Sequence, residues 1–172
     1  MDPAVAMLLR GALTLLLAAA AVAKFRDRRI FHGNILAWRL LPARLAGRVA
    51  DTLPWIEAAL AAGLFAGLPV AAIGAALLLA AYGIGIGINL VRGRRVIDCG
   101  CGGPPQPLSG WHLVRNAGLV GMALATLLPV AARAPSWIDA VTVAGGTGAA
   151  ALLYYAIHAM HALAPVRRPV PT

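Results

Sequence analysis

The chain's only two cysteines, Cys99 and Cys101, stand one residue apart in the run Asp98, Cys99, Gly100, Cys101, Gly102, Gly103, Pro104. Thiols at this spacing close a small, strained disulfide ring, which Gly100 assists by accepting unusual dihedrals. Strain eases reduction, and the second thiol can resolve a mixed disulfide formed by the first, so the pair suits thiol–disulfide exchange. Arg92, Arg94, Arg95 and Arg115 favour the thiolate, whereas Asp98 opposes it. Soft-metal handling is the alternative: Cys99, Cys101 and His112 offer two thiolates and an imidazole to copper or zinc. The spacing is a weak zinc signature and lacks a fourth ligand, so no resident metal is expected. No Ser, His and Asp arrangement and no carboxylate pair suggests hydrolytic or phosphoryl chemistry.

The elements that must position these thiols are membrane helices. Of 172 residues, 60% are hydrophobic and 12% charged, and the mean hydropathy is +0.80, which excludes a soluble α/β enzyme or nucleic-acid module. Five apolar runs, at about 4–23, 52–67, 69–91, 110–131 and 137–161, are long enough or nearly so to cross about 30 Å of hydrocarbon. They lack the alternation of barrel strands, so the expected fold is all-α, a polytopic transmembrane bundle of four to five helices forming one domain over 1–164. The first run resembles a secretory leader, with Ala21, Val22 and Ala23 as a small-residue cleavage pattern, but Asp2 and the single early Arg10 favour a retained span. Gly67, Leu68 and Pro69 predict a tight hairpin between the second and third spans. Residues 31–50 interleave Trp38, Leu40, Leu41 and Leu45 with Arg39, Arg44 and Arg48, as in an interfacial helix broken near Pro42, or else a solvated basic loop. Gly83, Gly85 and Gly87, like Gly145, Gly146 and Gly148, are read as helix-packing positions and not a phosphate loop. The tail, 165–172, is expected to be disordered.

Within these spans several polar groups fall near the cysteine end: Glu57, Asn89, His112, Arg115, Asn116, His158 and His161. Such groups are costly in lipid and face a bundle interior or cavity, so their gathering predicts one site. Glu57 either pairs with an arginine or moves a proton. Arg115 snorkels or contacts a thiolate or anionic cofactor. Asn89 and Asn116 read as interhelical glue or as part of the shell. His158 and His161 are placed at the interface or in the site, and Trp111 is an interfacial anchor or stacks on a cofactor.

The +9 net charge is read as topogenic, with anionic lipid and not nucleic acid as its partner. If all five runs span, one face carries twelve basic residues: seven from Lys24 to Arg48, three from Arg92 to Arg95, and Arg167 and Arg168. The positive-inside rule makes that face, with both cysteines, cytoplasmic.

The string Ile88, Asn89, Leu90, Val91, Arg92, Gly93, Arg94, then Asp98, Cys99, Gly100, Cys101 and Val114, Arg115, Asn116, resembles the methylamine utilisation MauE family of DoxX-like membrane proteins. Lys24 to Asp27, the run Arg39, Leu40, Leu41, Pro42, and Leu53 and Pro54 with Glu57 extend the resemblance over most of 15–120. It implies a maturation factor of the bacterial inner membrane that works beside a thioredoxin-like protein, MauD, to support disulfide formation in methylamine dehydrogenase. Carried over, Cys99 and Cys101 exchange, with Asp98, Arg92, Arg94, Glu57, Arg115 and Asn116 around them. The family usually has an aromatic residue after the second cysteine; this chain has Gly102, which allows a different cofactor contact or client. Such a client belongs outside the cytoplasm, opposite to the face that charge predicts. The resulting expectation is a thiol–disulfide oxidoreductase with a quinone as acceptor, since these residues can build no other. A non-enzymatic assembly subunit is the alternative.

Overall fold

The computed structural model describes residues 1–94, 108–134 and 136–163, apart from the side chains of His158 and of residues 161–163. Among the described residues the chain is all-helical: α1 (Pro3–Arg26), α2 (Arg28–Trp38), α3 (Ala43–Phe65), α4 (Pro69–Val91), α5 (Gly110–Ala125) and α6 (Trp137–Leu163). It is a polytopic transmembrane helical bundle. Helices α1, α4 and α6 are long and apolar enough to cross a membrane. Side chains such as Phe65 (84% exposed) and Val91 (91%) point outward, an arrangement that lipid accepts and water penalises. The expected tail, 165–172, lies outside the described residues.

The five long helices stand at the five apolar runs, with shifted ends. The expected interfacial segment 31–50 divides at 39–42: its first part lies in α2, and its second part is the opening of α3. Pro42 has the extended conformation of an N-cap, and its carbonyl accepts from Leu45 and Ala46. From there Ala46, Ala50, Leu53, Glu57, Ala61 and Leu64 form one buried stripe, so the helix continues across the charged stretch that a hydropathy window rejects. At its other end α5 stops at Ala125 and not near 131. Turn bonds from Leu127 and Leu128 to Leu124 and Ala125 close it, ahead of Pro129, which cannot extend a helix. The α3–α4 hairpin is as expected. Gly67 takes φ +74°, and the Leu68 and Gly67 N–H groups donate to Gly63 and Leu64, the glycine-dependent helix stop that caps the last carbonyls.

The core lies where α1, α3, α4 and α5 meet. Leu13 and Leu17 pack on Ala61 and Leu64, on the alanine face of α4 (Ala71, Ala72, Ala75, Ala76, with Leu79), and on Ala123. Alanines let membrane helices approach closely, where dispersion and not water exclusion holds them. Helix α6 packs on the outside of α1, and α2 packs on α3. At the end opposite that where α4 stops and α5 begins, Arg133 bridges Asp2 and Asp139. The Ala4 N–H and then Arg133 hold the Asp2 carboxyl below its usual range.

Trp38 closes the bundle at the cysteine end, packing with Ile86 and Leu108. Its ring occupies the space over Gly85, where a Cβ would lie 2.6 Å from Cζ3 and 3.1 Å from Cε3. An indole cannot give way as a flexible chain end does. Gly85→Ala is expected to destabilise the bundle by about 1–3 kcal/mol, the usual cost of overpacking, read as a lower unfolding midpoint in mixed micelles. An unchanged midpoint contradicts this packing.

Candidate functional site

On α1 the buried stripe Leu13, Leu17, Ala21 ends on Lys24, because steps of three and four residues share a helix face. Lys24 is thus turned into the bundle and is 4% exposed. The α3 stripe buries Glu57 completely, and Tyr82 lies on the inner face of α4 between Leu79 and Asn89. The three converge. Lys24 Nζ donates to Glu57 Oε1 at 2.8 Å, and the Tyr82 hydroxyl donates to the same oxygen at 2.6 Å. The Lys24 ammonium also lies 5.3 Å from the Phe31 ring centroid and 5.8 Å from that of Tyr82, where the ring faces attract a cation. Glu57 Oε2 is buried with no hydrogen-bond partner. An acceptor left bare in a dry interior is costly. The pairing of Glu57 with an arginine is therefore corrected: its partner is Lys24, which the sequence counts among loop charges.

A second polar group lies where α5 begins beside the end of α4. Ser109, the N-cap of α5, donates its N–H to His112 Nδ1 at 3.2 Å, and its hydroxyl is 3.0 Å from the same nitrogen. His112 Nδ1 therefore accepts, which puts the ring proton of the neutral imidazole on Nε2. His112 and Asn116 are buried. The Asn116 amide donates to His112 O at 2.8 Å, and the Asn89 amide to Gly85 O at 3.1 Å. These two N–H groups bond back four residues in their own helices and not across the interface, a local option open to short polar side chains. It leaves Asn89 Oδ1 buried and unpartnered.

Arg115 belongs to a third place. It follows Val114 and precedes the inward Asn116, and about 100° of helical rotation per residue turns it toward a different neighbour. Its Nη1 donates to the Tyr154 hydroxyl of α6 at 3.3 Å. The predicted shell is thus spread over three positions: Glu57 among α1, α3 and α4; Asn89, His112 and Asn116 at α4 and α5; and Arg115 facing α6. Tyr82 and Asn89 are one heptad apart on α4, about 10 Å along its axis.

Arg92 Nη1 donates to Arg39 O at 3.3 Å, tying the end of α4 to the α2–α3 connection. Gly93 takes φ +70°, and the Arg94 N–H bonds Asn89 O at 2.9 Å, so the chain leaves α4 through a capped stop. Trp111 is 41% exposed. His158 and His161 lie in the last turns of α6, with their side chains outside the description. Asp98, Cys99 and Cys101 lie outside the described residues, between Arg94 and the buried Leu108. Among the described residues no three His, Cys, Asp or Glu side chains group as metal ligands do.

Lys24 and Tyr82 are the polar residues that sequence reasoning missed. The signal was present in the spacing: each continues an apolar stripe at steps of three or four.

The family model for methylamine utilisation protein MauE matches residues 2–129. A methylamine utilization protein MauE from Methylorubrum extorquens is 44% identical over 163 residues, covering 90% of this chain and 86% of the relative. The protein of the same name from Paracoccus denitrificans is 39% identical over 163 residues (90% and 85%), and that from Paracoccus versutus 40% over 176 residues (98% and 92%). No solved structure matches.

Proposed function

Because the chain belongs to the methylamine utilisation protein MauE family, we propose that it serves methylamine utilisation as a thiol–disulfide oxidoreductase of the bacterial inner membrane. A reduced thioredoxin-like partner attacks the Cys99–Cys101 disulfide, and the mixed disulfide resolves, leaving the partner oxidised and Cys99 and Cys101 as thiols. The two thiols then lose two protons and two electrons to a membrane quinone, re-forming one S–S bond and giving quinol. The oxidised partner makes disulfides in a client such as a methylamine-oxidising dehydrogenase.

The observation that supports this reading is a buried, unpartnered acceptor, Asn89 Oδ1, near the end of α4 from which the cysteine segment departs. Asn89 Oδ1, with no donor of its own, accepts from a thiol or amide brought to it. Arg115 stabilises anionic oxygen or sulfur. Glu57, bare at Oε2, holds and moves a proton, with Lys24 and Tyr82 fixing its other oxygen.

The test is direct. The purified protein in lipid nanodiscs is given a reduced thioredoxin-like dithiol protein and a short-tail para-benzoquinone, and quinone absorbance and free thiols are followed together. One quinone reduced for each dithiol consumed is expected; thiol loss without quinone reduction, or neither, overturns the reading. Labelling of intact cells with a membrane-impermeant thiol reagent, before and after mild reduction, locates the pair. Labelling only after reduction is expected, for an oxidised pair outside the cytoplasm. Labelling only after permeabilisation places it inside and removes the extracytoplasmic client.

A further inference from the structure

The cavity of about 340 Å³ between α1, α5 and α6 is, we propose, the seat of one acyl chain of an anionic phospholipid whose headgroup is held by Arg26. Its α1 wall is the stripe Ala12, Leu16, Ala19 and Ala23, at the steps of three and four residues that share one helix face. From Ala12 to Ala23 the stripe rises about 16 Å, half of a hydrocarbon core of about 30 Å, so the slot is one leaflet deep. It is closed at its inner end, where Leu8 and Gly11 sit directly against Gly146 and Thr147. Leu15 and Tyr155, both lining residues, are about half-exposed, so its side is open to lipid. The walls are almost wholly hydrocarbon, because the Thr147 hydroxyl is turned to Gly11. Helix α6 packs on α1 and scarcely meets α5. An acyl chain lying between them supplies by dispersion the contact that α6 lacks on that side.

Charge then selects the headgroup. One further step of three along the same α1 stripe is Arg26, exposed in the last turn of the helix, where a chain rising through the slot meets its phosphate. Among the described residues the acids of this end are engaged elsewhere, Glu57 with Lys24 and Asp51 with His32, and none pairs with Arg26. Arg28 and Arg29 open α2 just beyond and are also exposed, against the single acid Asp27, so the rim is net positive. Arg115, bonded to Tyr154 on the α6 wall, adds positive charge toward the same end. A guanidinium takes a phosphate through paired N–H···O bonds. A zwitterionic lipid brings its own ammonium to this basic rim and is repelled there; an anionic lipid is not. At the inner end the same α1 face continues through Leu8 and Leu9, so the slot is polar at one end only, as a lipid is.

The full chain, delipidated in an uncharged detergent, is titrated with phosphatidylglycerol or with phosphatidylcholine of the same chains, each carrying a diazirine at the middle of one acyl chain. Native mass spectrometry counts the retained lipid, and photo-crosslinks are mapped to peptides. Saturable retention of one phosphatidylglycerol is expected, preferred about fivefold over phosphatidylcholine, with crosslinks in the stretches of α1 and α6 that line the slot. Ala151→Phe, which fills the slot, is expected to weaken retention of both lipids about tenfold. Arg26→Gln is expected to weaken retention of phosphatidylglycerol alone, about fivefold, and so to erase the preference; Arg26→Lys is expected to keep it. Arg26 is exposed at a helix end, so this pair decides the matter if the larger substitution at Ala151 disturbs folding. Equal retention of the two lipids by the parent chain, crosslinks spread over all lipid-facing residues, or indifference to Ala151→Phe and Arg26→Gln overturns the site. Thiol exchange takes no part in the readout, so the site and the oxidoreductase reading stand or fall separately.

Discussion

Replacing Cys99 and Cys101 together by serine is expected to lower dithiol-to-quinone turnover by at least about a thousandfold, the scale seen when an essential nucleophile is lost, while the helical bundle keeps its stability. Serine replaces one sulfur by one oxygen at nearly the same side-chain size, so the expected effect is confined to chemistry. The single variants add direction. A lone thiol that attacks the partner has no neighbour to resolve the product, so one of Cys99→Ser and Cys101→Ser accumulates a mixed disulfide with the thioredoxin-like protein. Non-reducing electrophoresis then identifies the attacking cysteine as the one retained. Undiminished client maturation in the double variant instead makes the protein an assembly subunit.

The second large effect is one of stability. Lys24→Met is expected to cost about 3–5 kcal/mol, because it leaves the Glu57 carboxylate buried without its cation. The site is closed to solvent, with Lys24 at 4% exposure and Glu57 at 0%, so water cannot compensate. Lys24→Met with Glu57→Leu is expected to recover most of that loss, since well-packed apolar groups often replace a buried ion pair at little cost. A double-mutant cycle in mixed micelles measures the coupling. Turnover divides the two roles of Glu57: a double variant that is stable yet slower by about 10²–10⁴ has lost a proton-transfer group, whereas full turnover leaves Glu57 a structural residue. If both single variants melt as the parent does, the Lys24–Glu57 contact is not part of the fold.

The helical class was legible because lipid permits few alternatives, and runs of that hydropathy have only helices to become. The start of α3 was not, because Arg44, Arg48 and Asp51 interrupt the apolar average while Ala46, Ala50 and Leu53 keep the inward stripe. Averaging hides a face; spacing reveals it. Lys24 shows the same limit, since counting it by loop ignores that it follows Ala21 by three residues. The polar residues near the cysteine end were legible one at a time, but their grouping was not. Arg115 and Asn116 are consecutive, and which helix each meets depends on the arrangement of α4 and α6 around α5, which no local pattern encodes.

Helix α6 rests on the flank of α1, with a Cβ at Gly146 only 2.7 Å from Leu8 Cδ1 and one at Gly11 3.0 Å from Thr147 Oγ1. Helix α1 is thus the seat of α6, with four helices between them in the chain. Membrane helices enter the bilayer singly and dock afterwards, so this side of α1 stays bare to lipid until α6 has been synthesised. The clasp of Arg133 on Asp2 joins residues more than 130 positions apart, a contact of very long sequence separation that forms late. Assembly therefore closes like a ring, and the wall between α1 and α6 exists only once these two helices have met.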